Sequence, residues 1–203
     1  MKTKIIIDST TNVKPHLAEC FEVVPLTVHF GEEEYTDGVT ISHREFYTMH
    51  EQGDVVPTTS QPTPDAFAQA FSKIVADGDE AVVITISSKL SGTYQSAVIA
   101  ASDYPGRVFV VDSLSAAIGQ RVLLMRGVEL AEEGRTAAEM AATRDEEKTR
   151  LRVMAVADTL EYLKKGGRIS ATAAIAGGIL NIKPVITITD GEIKGLGKAR
   201  GSR

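Results

Sequence analysis

The first 150 residues alternate short runs of β-branched residues with longer stretches in which apolar positions recur every three or four residues. The β-branched runs predict strands at residues 2–8, 22–30, 81–87 and 107–112. The helical spacing predicts helices at residues 64–76, 90–101, 114–133 and 136–148. This alternation predicts an α/β fold with a parallel sheet and helices on both of its faces.

Three of these strands, which end near Ile7, Ile86 and Val111, are almost entirely apolar. Strands that are covered on both faces have this character, so we expect all three to be central strands. The segment from Gly31 to Gly38 is acidic and flanked by glycine, and it is predicted to be an exposed turn or mobile loop.

The pattern changes after Thr149. Residues 151–158 predict a strand, residues 159–170 a short helix that ends at Gly166 and Gly167, and residues 184–196 a hairpin that turns at Asp190-Gly191. We therefore predict a boundary near residue 150. It separates an α/β domain at 1–150 from the start of a second α/β domain, with a mixed or antiparallel sheet, at 151–203.

Composition and charge argue against several classes of protein. The 203 residues carry 22 basic and 27 acidic side chains, a formal net charge of −5, and no dense basic stripe, which argues against a nucleic-acid partner. A single cysteine, Cys20, forms no internal disulfide, and no Cys/His cluster is present to bind a metal. No apolar run has the length of an integral membrane segment. We expect a cytoplasmic protein without a metal or cofactor.

Hydroxyl side chains gather at predicted strand ends and helix starts. The clusters are Asp8–Thr11, Pro57–Gln61, Ser87–Thr93 and Asp112–Ser115. In open α/β sheets the ligand crevice lies at the carboxyl ends of the strands, and helix N-termini there favour an anion such as a carboxylate or phosphate. Each cluster alone is explained better by helix capping. The segment Pro57–Pro64, however, has more hydroxyls than one helix start uses.

Catalytic signatures are absent from the sequence, including the nucleophile elbow, the phosphate loop and the zinc-protease motif. An enzyme acting on a phosphorylated or acylated small molecule stays an alternative, with Asp8 or Asp112 as acid or base and Ser91 as an oxyanion donor. A third possibility is an interaction domain without a ligand. The small apolar segment at residues 171–181 suits either a packed helix or the close approach of a ligand or another chain.

Six sequence blocks resemble, in order and over the whole chain, the DegV family of bacterial fatty-acid-binding proteins. The blocks are DSTTN at 8–12, TTSQPTP at 58–64, SSKLSGTYQSA at 87–97, VDSLSAAIGQ at 111–120, LEYLKKGGRIS at 160–170 and LNIKPVI at 180–186. The better-understood members of the family are the fatty-acid-binding subunits of fatty acid kinase.

The resemblance implies a non-catalytic carrier that holds a long-chain fatty acid between two α/β domains. Its carboxylate would be bound by Thr59, Ser91 and Arg200. A supporting set of site residues is Ser60, Gly92 and Ser113. The family's carriers present the fatty acid to a separate ATP-using kinase subunit, which forms the acyl phosphate for phospholipid synthesis.

One departure from the family pattern concerns the C-terminal part. Family members continue beyond the segment that matches Gly197–Arg200 and complete their second domain with a histidine-containing segment. The resemblance therefore implies a second domain that is incomplete relative to the family.

Overall fold

The computed structural model describes residues 1–11, 13, 20–53, 55–169 and 182–200. The strands are β1 (Thr3–Asp8), β2 (Glu22–Val24), β3 (Thr27–Phe30), β4 (Glu33–Thr36), β5 (Thr58–Ser60), β6 (Glu80–Thr85), β7 (Val108–Asp112), β8 (Val153–Val156), β9 (Ile182–Thr189) and β10 (Glu192–Arg200). The helices are α1 (His43–Gln52), α2 (Pro64–Ala76), α3 (Thr93–Ala101), α4 (Ile118–Glu132), α5 (Ala137–Glu147) and α6 (Glu161–Lys165).

The fold is α/β, as predicted, and its centre is a parallel sheet with the strand order β2-β1-β6-β7. Successive residues of β1 point to opposite faces. Ile5 and Ile7 pack with α4 and α5 through residues such as Leu124 and Met140. Ile6 packs on the other face, with α2 and α3. Helices therefore cover both faces, which explains why the strands are so apolar.

Two strand predictions in the N-terminal part were wrong. The strand that ends near Val111, β7, lies at the edge of the sheet rather than in its centre. The predicted strand at 22–30 is two strands, interrupted at Pro25 and Leu26, and they belong to different sheets. Proline has no backbone N–H to donate to a sheet ladder, so a break at Pro25 has a local cause.

A second, antiparallel sheet with the strand order β4-β3-β5 carries α1 on one side. Its strand β4 lies inside the acidic segment 31–38, for which the sequence predicts a turn or loop, so this prediction is wrong. Helix α1 was not predicted either, although Ser42 and Glu45 form a reciprocal capping box at its start. Phe46 and Met49 of α1 pack against the small core of this sheet.

A third sheet, β10-β9-β8, is antiparallel throughout. The predicted hairpin turn is present, with φ of 53° at Asp190 and 81° at Gly191, as a two-residue turn of this type requires. The short helix before this hairpin also ends where expected, at Gly166, and Gly167 follows it with φ of 72°.

Segment 171–181, whose small residues were noted above, lies outside the described residues. Among the helices that the structure describes, none combines the length and the apolarity needed to cross a bilayer.

Candidate functional site

A cavity of about 870 Å³ lies where the three sheets approach one another. Its walls come from α1, from β5 and the residues just before it, from the turns that follow β1, β6 and β7, and from α6 with one residue of β10. The lining residues are Thr10, Leu26, Phe46, Tyr47, His50, Val56, Pro57, Thr58, Thr59, Ile86, Leu90, Ser91, Ala116, Tyr162, Leu163, Lys165, Gly166, Arg168 and Ile193. Nine of these residues have apolar side chains, two more are tyrosines, and none of the nineteen is a carboxylate.

Thr59 and Ser91, two residues of the predicted carboxylate site, both line this cavity. Thr59 is the middle residue of β5, where it pairs with Val28 of β3. Ser91 precedes α3, and its Oγ is hydrogen-bonded to Thr93 Oγ1 at 2.9 Å and accepts the Thr93 N–H at 3.4 Å. The short turn before α3 thus orients the Ser91 hydroxyl beside the N-terminus of that helix, where a negative charge is stabilised.

Gly92 explains how the two hydroxyl segments come so close. A Cβ atom at this position would lie 2.0 Å from Oε1 of Gln61, which follows β5 directly. The Gln61 amide in turn donates to Ser96 Oγ of α3 at 3.0 Å. Glycine at 92 therefore permits the close contact between the end of β5 and the start of α3.

The other two supporting residues lie away from the cavity wall. Ser60 Oγ is 2.8 Å from Nε2 of His29, on a strand whose successive side chains alternate in direction. Ser113 is fully buried, and its Oγ donates to the carbonyl of Ser115 and accepts the Ser115 N–H, each at 3.1 Å. The roles expected of Ser60 and Ser113 stay predictions.

Arg200 is the last residue of β10, exposed, and paired in register with Ile182. It is not among the residues that line the cavity. Its predicted contact with a carboxylate stays a prediction.

Arg168 also lies on the cavity wall, although no sequence pattern marked it as a site residue. Its Nε donates to the carbonyl of Leu90 at 3.0 Å and its Nη1 to the carbonyl of Gly166 at 2.5 Å. Leu90 precedes Ser91, so these bonds hold the guanidinium group near the Ser91 turn. The sequence feature that could have indicated Arg168 is the pair Gly166-Gly167 directly before it, which ends α6 and turns the chain.

Lys165 adds a second cation to the wall, where its Nζ forms a 2.7 Å ion pair with Glu161 on the exposed side of α6. Hydrogen bonding and attraction to Glu161 raise the pKa of Lys165, so it is protonated at neutral pH. Arg168 and Lys165 are cations and no carboxylate is among the lining residues that the structure describes, so the cavity suits an anion that carries a large apolar group.

Asp8 and Asp112, the acid-base residues of the enzyme alternative, organise the turns around the cavity. Both Asp8 oxygens are used: Oδ1 accepts the Thr10 N–H at 3.0 Å and the Thr10 hydroxyl, and Oδ2 accepts the Ile86 N–H at 2.6 Å and the Gln120 amide at 3.0 Å. Burial raises the pKa of Asp8, and these hydrogen bonds oppose the rise.

Asp112 Oδ1 accepts the N–H groups of Ser88 at 3.1 Å and Leu114 at 3.0 Å. Neither Asp8 nor Asp112 lines the cavity. Among the described residues no three His, Cys, Asp or Glu side chains are grouped so that they could hold a metal ion.

The fold and the cavity define the class of protein: an α/β protein with an apolar cavity whose polar residues suit an anionic head group. A family model described as "Uncharacterised protein, DegV family" matches residues 2–203. A DegV domain-containing protein of Caldanaerobacter subterraneus is 39% identical over 205 residues, which cover 100% of this chain and 73% of the relative. The chain therefore belongs to the DegV family.

Two solved structures show the same fold. A DegV family protein from Thermus thermophilus, described by its fatty acid binding, matches with a TM-score of 0.89 and 37% identity over 99% of this chain and 72% of its own. The fatty acid kinase B3 protein of Streptococcus pneumoniae, loaded with linoleic acid, matches with a TM-score of 0.85 and 27% identity over 99% of this chain and 74% of its own.

Proposed function

We propose that this protein binds a long-chain fatty acid in the 870 Å³ cavity, with the carboxylate near Thr59, Ser91 and Arg168 and the acyl chain along the apolar wall. The observation that carries the proposal is that two hydroxyl side chains and an arginine meet on one largely apolar cavity. The S. pneumoniae and T. thermophilus relatives, which are described with fatty acids, support the same ligand class.

The physical chemistry supports this ligand. Hydroxyl and guanidinium groups donate charge-assisted hydrogen bonds to a carboxylate, and these are stronger than bonds between neutral groups. The apolar tail gains about 0.8 kcal/mol for each buried CH₂ group. An aromatic wall formed by Phe46, Tyr47 and Tyr162 offers a surface for such a tail. Head group and tail are then held by different parts of the cavity.

The proposal also gives the protein a non-catalytic role, in which it presents the fatty acid to a separate ATP-using fatty acid kinase subunit. The kinase name of the S. pneumoniae relative supports this division of labour. Because that kinase needs ATP, the proposal keeps the cytoplasmic location predicted from the sequence. The proposal also includes the predicted domain boundary near residue 150, because residues from both sides of that position line the cavity.

Binding is tested first by comparing native and denatured masses of the purified chain and by extracting any bound lipid. We expect a co-purified fatty acid near a one-to-one ratio. Ser91→Ala and Thr59→Ala should each weaken fatty-acid affinity roughly tenfold or more, the loss typical of a hydrogen bond to a charged group. Unchanged affinity in both variants would overturn the proposed site.

The chain offers a control in Ser72→Ala. It removes an exposed hydroxyl from α2 that is not among the residues lining the cavity. We expect the affinity of this variant to equal that of the parent. Comparing the fatty-acid affinities of Arg168→Gln and Arg200→Gln then shows which arginine contacts the carboxylate. Only the substitution of the contacting arginine should reduce the affinity.

The kinase partnership has its own test. With an ATP-using fatty acid kinase catalytic subunit and labelled ATP, acyl phosphate should form only when this protein supplies the fatty acid. Acyl phosphate made by this chain without a kinase subunit would instead support the enzyme alternative.

A further inference from the structure

Two seams join residues 1–150 to the described residues after 150 around the cavity. The first, which we call the base seam, consists of Ser87 with Gly191 and Leu90 with Arg168. Ser87 is fully buried and its Oγ donates to the Gly191 carbonyl at 2.8 Å, while Arg168 donates to the Leu90 carbonyl at 3.0 Å. A Cβ atom on Gly191 would lie 2.5 Å from Ser87 Oγ, so this seam is closely packed.

The second seam, which we call the α1–α6 seam, is formed by His50 and Tyr162. Their rings meet edge to face with centroids 5.1 Å apart, and His50 Nε2 lies 3.1 Å from the Tyr162 hydroxyl in a hydrogen bond. Phe46 also stacks on His50, with ring centroids 6.3 Å apart. All three side chains line the cavity, so moving α6 away from α1 would open the cavity wall between these two helices.

The chemistry of the α1–α6 seam makes it the weaker of the two. Tyr162 is 51% exposed, whereas Ser87 in the base seam is fully buried. His50 Nδ1 is buried and has no hydrogen-bond partner among the described residues. An unsatisfied buried polar atom costs free energy in the closed state, and opening the seam lets water reach it. Local opening should therefore begin at the α1–α6 seam.

We propose that the α1–α6 seam is the entrance through which the fatty acid exchanges, and that the contact between His50 and Tyr162 sets the exchange rate. This inference rests on the proposed function. The Tyr162 ring belongs to the apolar wall, whereas its hydroxyl bonds His50, so removing the hydroxyl alone breaks the closing contact and keeps the wall. Such a contact raises the barrier for entry and release alike. Its loss therefore speeds both steps and leaves the equilibrium affinity nearly unchanged.

The test measures association and release of the fluorescent fatty acid cis-parinaric acid by stopped flow on the full chain. Tyr162→Phe keeps the ring and removes the hydroxyl, and both rates should rise about 3- to 10-fold, as the loss of one hydrogen bond implies. The control is Tyr35→Phe, which also removes one hydroxyl and its hydrogen bond, to Glu33, at a tyrosine that is not among the residues lining the cavity. Its rates should match those of the parent.

Unchanged rates in Tyr162→Phe, or equal changes in both variants, would overturn the entrance but leave fatty-acid binding intact. A parent chain that takes up no fatty acid would instead refute the proposed function. In that case, backbone hydrogen exchange of α6, measured on the ligand-free protein, tests whether the α1–α6 seam opens. Faster exchange there in Tyr162→Phe, with unchanged exchange in α3, supports opening at the seam, and equal exchange in α6 overturns it.

Discussion

Strands β6 and β8 are both rich in apolar residues, but they are buried very differently. All six residues of β6 are buried between two layers of helices, whereas no residue of β8 is buried. Met154 and Val156 of β8 are 67% and 59% exposed. The apolar core clusters among the described residues include none from β8, β9 or β10. Apolar composition alone therefore does not tell which sheet carries the core.

The difference indicates how each sheet is stabilised. Helices cover both faces of the parallel sheet, so the side chains of this sheet are buried on both faces. The sheet of β8, β9 and β10 depends on contacts with other elements, such as Gly191 on Ser87 and Val153 beside Gly119 of α4. We therefore expect substitutions in the two sheets to have very different effects on unfolding.

The largest effect is expected in the core on α2. Phe71 is fully buried and packs against Phe67 and Tyr104. Phe71→Ala should lower the free energy of unfolding by about 3–5 kcal/mol, because it leaves a cavity as well as losing apolar contacts. Urea unfolding measures this, and Met154→Ala on β8 is the control, with an expected change of at most about 0.5 kcal/mol. Similar losses in both variants would contradict the contrast between the sheets.

A smaller effect is expected at Asp8, which joins the end of β1 to Ile86, the residue after β6, and to Gln120 of α4. Asp8→Asn cannot accept all the hydrogen bonds of the carboxylate, and an orphaned buried donor costs about 1–3 kcal/mol. The pKa of Asp8 is raised by burial, so the folded state holds its proton more tightly than the unfolded state. The parent therefore loses stability as the pH rises from the ordinary value of 3.8 through the raised pKa.

Asparagine has no such proton, so the stability difference between parent and Asp8→Asn should shrink as the pH rises through that interval. Urea unfolding of both proteins at a series of pH values measures it. A difference that widens with rising pH would mean that the hydrogen bonds outweigh burial and lower the pKa instead.

The contact of the β10-β9-β8 sheet with Ser87 is tested by substituting Gly191. Gly191→Ala places a side chain at a φ of 81° and directly against Ser87 Oγ. The left-handed conformation alone costs about 1–2 kcal/mol. Gly197→Ala in the same hairpin is the control, because a Cβ there meets no atom within 4 Å. Equal unfolding free energies for the two variants would show that the hairpin tip is not held against Ser87.

The smallest effect is expected on the exposed face of β8. Val156→Thr keeps a β-branched side chain and should change the free energy of unfolding by no more than about 0.5 kcal/mol. A loss above about 1 kcal/mol would mean that this face is covered in solution, for example by another chain.

Features with local causes were predicted well from the sequence. Helix α2 begins and ends as predicted because Thr63 caps it, Pro64 opens it and its apolar positions follow a helical period. The turn at Asp190-Gly191 was predicted because few other dipeptides adopt two positive φ angles readily. The capping box of α1 was equally local, and reading it would have revealed that helix.

The candidate site was predictable only in part. Hydroxyl-rich segments at strand ends indicated an anion site, and the family resemblance selected Thr59 and Ser91, which share one cavity wall. Arg168 was missed because its place depends on α6 lying against the turn after β6. The same holds for His50, whose partner Tyr162 is 112 residues away in the chain.

The sequence by itself determined the α/β class, most helix boundaries, the hairpin turn and the family, because these follow from local periodicity, caps, turns and the order of motifs. The tertiary structure alone decided that β7 lies at an edge, that β2 and β3 separate into two sheets, and that Arg168 lines the cavity. These features depend on contacts between distant segments. Burial and hydrogen bonding across those contacts are properties of the packed chain, which no short stretch of sequence carries.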